Sequence, residues 1–276
     1  MSVDLAKIPR PVFVENDPQA RVAELVARYE AATGKTVYPA QPERLLLDVI
    51  AYADANLRAA VQYAGEQNLL AYAEGAALEH LAAFFGVSRL DGEEDARLRE
   101  RVRLAPESFS VAGSRGAYRY WAMSADASIA DVSVTSPDPG VVHVYPLCAS
   151  GLPAQAVLDA VAEKCSAETV RPLCDTVRVL APEAVPYEIS AVVEPYTGYN
   201  GELARQQARA AAEAWAARNA SALGRDIVRS QIIAALSVAG VYRVTLNLPA
   251  LDRALDIHEW AQCAAVTVAM GGLADG

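Results

Sequence analysis

The segment "ERLLLDVIAYADANLRAAVQYAGEQNLLAYAE", Glu43 to Glu74, constrains this chain more than any other. It holds one glycine and no proline, so nothing in it forbids a continuous helix of about 32 residues, close to 48 Å long. Leu46, Ile50, Ala53, Leu57, Ala60, Ala64, Gln67 and Ala71 recur in alternating steps of four and three residues. That is a period near 3.5 held over about four heptads. Half of these positions are alanine, which lets a neighbouring helix approach closely. Two environments satisfy such a stripe: the core of the chain's own domain, or a seam facing a partner helix in a bundle shared with other chains. The helix sits near the N-terminus, far from the β-rich part, and this tips the reading toward a shared bundle.

The remaining N-terminal sequence also reads as helix. After an arm punctuated by prolines, "NDPQARVAELVARYEAATG" has Asn16 or Asp17 as a cap, Pro18 in its first turn and Gly34 as a stop. "KTVYPAQP" is a connector. "GAALEHLAAFFGVSRL" is amphipathic and stops at Gly86, and "DGEEDARLRERVRLAPESF" is a charged helix expected to present a solvated face. Residues before about 108 are thus almost entirely helical.

Beyond "SVAGSRGAYRYWA" the pattern changes. "IADVSVTSP" and "VVHVYPL" alternate and are joined at "DPG", which reads as a hairpin. "PAQAVLDAVAEKCSAE" is a helix and "DTVRVLAPE" a returning strand. "PYEISAVVEPY" is a strand, "GELARQQARAAAEAWAARNA" and "RSQIIAALSVAG" are helices, and "VYRVTLNLP" and "CAAVTVAM" are strands. A faint internal echo, helix then small residue then strand, relates "ADVSV" to "VYRVTL". The expected class is α+β: a helical N-terminal region with one long bundle-type helix, followed by two small α+β modules. The expected parts are an arm and first helix (1–42), a helical region (43–109), and modules at 110–183 and 184–276.

Little in the chain points to catalysis. The three histidines are scattered: His80 lies in "LEHLAAFF", His143 on an outward strand position, and His258 in "DIHEWAQC", which lacks the second histidine of H-E-x-x-H. Cys148, Cys165, Cys174 and Cys263 form no C-x-x-C pair. No nucleophile elbow, Walker loop or dinucleotide fingerprint is present, so no catalytic residue, metal ligand or cofactor is expected. "GSRG" has the form of a KH-domain loop, and Tyr118, Tyr120 and Trp121 around Arg119 could stack bases. A net charge of −10 without a basic run opposes that reading, as it opposes an anionic membrane surface. The stretch is better read as a junction: a flexible turn at Gly113 and Gly116, then a helix carrying Tyr118 and Trp121 toward the first module. No segment approaches the roughly 20 apolar residues of a membrane span, and the N-terminus lacks the pattern of a signal peptide, so production in a cytoplasm is expected.

Several segments together resemble one family, the baseplate J-like proteins of contractile phage tails and R-type bacteriocins. They are "RLLLDVIAYADANLRAAVQYA", "LAYAEGAALEHLAAFFGVSRL", "SFSVAGSRGAYRYWAMSADASIADVSVTSPDPGVVHVYPL", "VRPLCDTVRVLAPEAVPYEI", "GRDIVRSQIIAALSVAGVYRVTLNLP" and "CAAVTV". The resemblance implies a non-enzymatic wedge subunit of a baseplate, with N-terminal helices entering a shared bundle. The implied partners are a second copy of the chain and another wedge protein, then neighbouring wedges, sheath and hub. Nucleic acid and membrane insertion are not among them. It also implies dimerisation or ring contacts for the module at 184–276, and a part in triggering sheath contraction. Two other classes stay open on the residues alone: a tail-associated glycan hydrolase and a nucleic-acid-binding module.

Overall fold

Asp17 begins the first helix as a side-chain cap, accepting hydrogen bonds from the N–H groups of Gln19 and Ala20. In the computed structural model, which describes residues 5–110 and 113–275, this helix, α1, spans Pro18–Thr33 and closes at Gly34 with φ 69°. Two compact units are formed. One contains residues 1–89 and 94–103, the other residues 90–93 and 104–276.

In the first unit a short connector returns the chain into α2, Pro42–Glu66. Arg21 near the start of α1 meets Asp54 of α2 at 3.1 Å. The sequence predicts that this helix runs to Glu74, but it stops after 25 residues, about 38 Å. Polar side chains end it. The Gln67 amide oxygen accepts the Glu74 N–H at 2.9 Å, and the Asn68 amide donates to the Ala64 carbonyl at 2.9 Å. Backbone bonds then tighten to Asn68 N–H on Gly65 and Leu69 N–H on Glu66. Gln67 and Ala71 therefore lie beyond α2, in the turn, and do not continue the seam.

The turn leads to α3, Gly75–Ala83, which buries Leu78 and Ala82. Next comes α4, Asp95–Leu104. The charges of α4 are not a simple solvated face. Arg99 donates to the carbonyls of Leu70 at 2.8 Å and Ala73 at 2.6 Å, in the turn that follows the end of α2. Arg101 is buried and donates to the Ser88 carbonyl. The Asp95 carboxylate accepts from the Gly75 N–H and from Arg89, which fixes the start of α3 to α4.

The second unit contains α5 (Arg115–Met123) and two three-stranded sheets. In the first sheet, β1 (Ile129–Thr135) and β2 (Val141–Cys148) form the expected antiparallel hairpin. Helix α6 (Gln155–Ser166) then crosses over to β3 (Thr176–Val179), parallel to β2. The second sheet is centred on β4 (Glu183–Pro195). It pairs antiparallel with β5 (Val241–Leu248) and parallel with β6 (Glu259–Met270). Each central strand is thus antiparallel to one neighbour and parallel to the other. The internal echo extends no further, because the central strand is second of three in one sheet and first of three in the other.

Period-two alternation in β4 drives the second core. Tyr187, Ile189, Ala191 and Val193 face Ala208, Ala212 and Trp215 of α7 (Gly201–Ala220), with Ile232 and Leu236 of α8 (Arg229–Leu236). Alanine on α7 lets the helix lie close to the sheet. The architecture is α+β, as the sequence indicates. Ile189 is 1% exposed, so Ile189→Ala should cost about 2–5 kcal/mol in urea unfolding of the chain. Its outward neighbour in Glu188→Ala should change stability by no more than about 0.5 kcal/mol.

Candidate functional site

The glycine-aromatic stretch is occupied by packing. Val111 and Ala112 lie outside the described residues. Gly113 has φ 68°, and a Cβ there would come within 2.7 Å of the Pro172 ring and 2.8 Å of the Asp175 carboxylate. Gly116 is not in a turn: it sits in the first turn of α5, after Ser114, whose hydroxyl accepts the Ala117 N–H at 3.1 Å. Tyr118 is buried, and its hydroxyl donates to Asp175 at 2.8 Å. Trp121 packs edge-on to Tyr120, with the Lys164 ammonium 5.5 Å above its ring.

Arg119 pairs with Asp131 at 2.9 Å, and the other Asp131 oxygen accepts the Leu223 N–H. Tyr118 and Tyr120 are buried, a face of Trp121 is taken by Lys164, and Arg119 already has a carboxylate. Gly113, Gly116, Tyr118 and Trp121 all lie inside the second unit, beyond the boundary at Arg103 and Leu104. Tyr118 and Trp121 pack within that unit.

The histidines do not converge on a nucleophile. His143 Nδ1 lies 3.3 Å from the Tyr145 hydroxyl, and the Tyr145 ring lies 5.3 Å from that of His258. Glu259, beside His258, is engaged by Arg253 and by the Asp256 N–H. Among the described residues no group of three or more histidines, cysteines and carboxylates could hold a metal ion. No helix among them is long and apolar enough to cross a membrane.

The surface that stands out is on α2. Its covered face consists of Leu47, Ala51, Ala55 and Glu66. The seam read from the sequence lies on the opposite side: Leu46 is 62% exposed and Leu57 63% exposed, with Ile50, Ala53, Ala60 and Ala64 exposed beside them. A second row, which the sequence reading missed, runs one residue earlier: Leu45, Val49, Tyr52, Asn56, Ala59 and Tyr63. It has the same four-three spacing and is likewise exposed, Val49 at 64%. The signal was available in the sequence, but one complete row hid the other.

At 100° per residue, the exposed apolar arc from Tyr52 round to Val61 covers about 180°. Between residues 45 and 64 that arc contains Asn56 as its one polar residue and no charge. A surface helix with one buried face needs an apolar stripe of only about 100°. Two flanks of α2 are therefore available to neighbours, one lined by alanine and leucine, the other by leucine and tyrosine.

On the covered side, α1 packs against the first half of α2, and an extended arm, residues 8–16, covers the second half. Arg10 grips Glu66 through two bonds of 2.6 and 2.8 Å. The Gln62 amide donates to the Pro11 carbonyl and to Glu66, while its oxygen accepts the N–H groups of Phe13 and Val14. Arg58 donates to the Glu15 carbonyl, and Asn16 to the Ala55 carbonyl. The Phe13 ring lies where a Cβ on Gly65 would stand, 2.5 Å from its nearest atom.

These bonds, first Arg10 and then Gln62, hold the Glu66 carboxyl down at about 2.

Sequence models of three domains match along the chain: the Baseplate J-like N-terminal domain at residues 41–93, the Baseplate J-like central domain at 110–181, and the Baseplate J-like protein C-terminal domain at 187–269. Such a succession defines a baseplate J-like protein. A relative, Baseplate protein J of Escherichia phage P2, is 34% identical over 297 aligned positions, which span 98% of each chain. This chain belongs to the baseplate J-like family.

Two outcomes follow from the geometry. Tyr118→Phe removes the hydroxyl donor from one Asp175 oxygen and should cost about 1–3 kcal/mol in equilibrium unfolding. Because the Glu66 carboxyl is depressed in the folded chain, its contribution is complete above the ordinary carboxylate value of 4.5 and is lost as pH falls toward about 2. Hydrogen exchange at the Phe13 and Val14 amides should accelerate over that acid window, relative to the intrinsic rate, and Glu66→Gln should remove the dependence.

Proposed function

We propose that this chain is a non-enzymatic structural subunit of a phage-type baseplate, acting as a wedge protein within a contractile tail or related injection particle such as an R-type bacteriocin. The single observation that carries the reading is the half-circumference of α2 left apolar and uncovered. Two neighbouring helices are needed to cover an arc of about 180°. A second copy of the chain and another wedge protein supply them. The seam of Leu46, Ile50, Ala53, Leu57, Ala60 and Ala64 takes one helix, with alanines allowing close approach. The row of Leu45, Val49, Tyr52 and Tyr63 takes the other, with Asn56 in a position where one polar residue specifies register.

In this reading residues 1–42 and 43–109 form the bundle part. The modules at 110–183 and 184–276 make contacts that join neighbouring wedges into a ring around the hub, next to the sheath. Rearrangement of that ring on surface contact would release sheath contraction, which requires interfaces with two packings of similar energy. Family membership and the phage P2 relative support the baseplate role.

The test is co-expression with the adjacent tail genes, followed by purification through a tag on this chain. A stable complex with about two copies of this chain per partner is expected. Leu46→Asp, Leu57→Asp and Tyr52→Asp each place a charge in a buried seam and should reduce recovered complex at least about tenfold, the equivalent of 1.4 kcal/mol. The same changes should leave the isolated chain's unfolding within about 0.5 kcal/mol, because the positions are exposed there. A chain that stays monomeric beside every tail component overturns the reading.

A further inference from the structure

The arm on α2 is bound the way a peptide ligand is bound. None of its contacts belongs to a helix or sheet ladder, so it can leave without breaking either. Gln62 reads the backbone, using both ends of its amide on Pro11, Phe13 and Val14. Three features read the side chains. Glu66, only 5% exposed, takes the Arg10 fork through two oxygens, the geometry that distinguishes arginine from lysine. The ring of Tyr72 lies 5.9 Å from the Arg10 guanidinium. Gly65 leaves the space that the Phe13 ring occupies. Pro9 and Pro11 lack a backbone donor and favour an extended chain, so the segment is preorganised for this site.

We propose that Arg58, Gln62, Gly65, Glu66 and Tyr72 form an exchangeable peptide site for an extended Arg-Pro-x-Phe segment, filled by the chain's own arm when it is alone and by the arm of a second copy when two copies meet. An arm from another copy restores the same bonds, so the exchange carries no loss of contact. Leaving the site empty is unfavourable, because Glu66 would lose its cation and the apolar surface beside Gly65 would lose the Phe13 ring. In the isolated chain the tether holds the arm at an effective concentration in the millimolar range, which favours the internal arrangement. Exchange therefore requires copies held side by side. That clause rests on the proposed pairing along α2, whereas recognition of the segment does not.

Two measurements separate these parts. In the first, Arg10→Ala with Phe13→Ala in the full-length chain empties the site, and a fluorescein-labelled peptide of residues 8–17 is titrated by anisotropy. The peptide should bind the emptied chain at least tenfold more tightly than the unaltered chain, and adding Gln62→Ala or Glu66→Gln should weaken it at least tenfold. Equal binding to both chains, or none to an emptied chain whose circular dichroism is unchanged, overturns the site.

The second needs no emptied variant. A full-length chain with Arg10→Glu and another with Glu66→Arg each carry a like-charge clash internally, but each arm matches the other chain's site. Native mass spectrometry of the mixture should show a heterodimer at least tenfold above either homodimer. A mixture without it overturns exchange between copies, while peptide recognition and the baseplate reading each stand or fall on their own experiments.

Discussion

A helix with about half of its circumference apolar and exposed, beyond the face it already buries, cannot be satisfied by one neighbour, and α2 imposes that constraint on the first unit. Its covered face is closed by α1 along the first half and by the extended arm along the second. The remaining half-turn of surface, with two rows of four-three spacing, has no counterpart among the described residues of its own unit. In the second unit β4 finds its partners within the chain: Ile189, Ala191 and Val193 meet α7 and α8. The contrast assigns different work to the two units. One core is complete within the chain, and one helix face stays apolar and exposed.

Polar groups carry the local structure at the far end of α2. Gln67 and Asn68 turn the backbone out of the helix, and Arg99 occupies carbonyls in the turn that results. One turn earlier, Gln62 and Glu66 hold the arm. Charge buried in this way is tolerated because each group has a named partner with short geometry. Gln62 and Glu66 face the arm and Arg99 the turn, so substitutions there act on those segments rather than on the outward rows.

The elements visible in the sequence were those with a strong local pattern. The β1–β2 hairpin, the alternation of β4, the Asp17 cap and the Leu46 row all follow from spacing within a short window. Misses came where side chains at a distance decide. Neither Gln67 nor Asn68 is a conventional helix breaker, so the sequence pattern alone carries the helix on to Glu74. Gly116 looked like a turn residue but is helical, because Ser114 caps the helix ahead of it. The grip of Gln62 on residues 11–14 joins positions about fifty apart and leaves no periodic trace. The family resemblance was readable because many weak segments occur in one order, which the three domain matches share.

The central claim is that both exposed rows of α2 are covered in the assembled particle, and residue-level accessibility tests it most directly. Single cysteines introduced at Leu46 and Tyr52, in chains whose exposed Cys174 is replaced by serine, would be alkylated in the isolated chain and in purified particles. The account predicts fast labelling at both positions in the isolated chain and protection of both, by about tenfold or more, in the particle. Labelling of either position at the isolated-chain rate within an intact particle would contradict it.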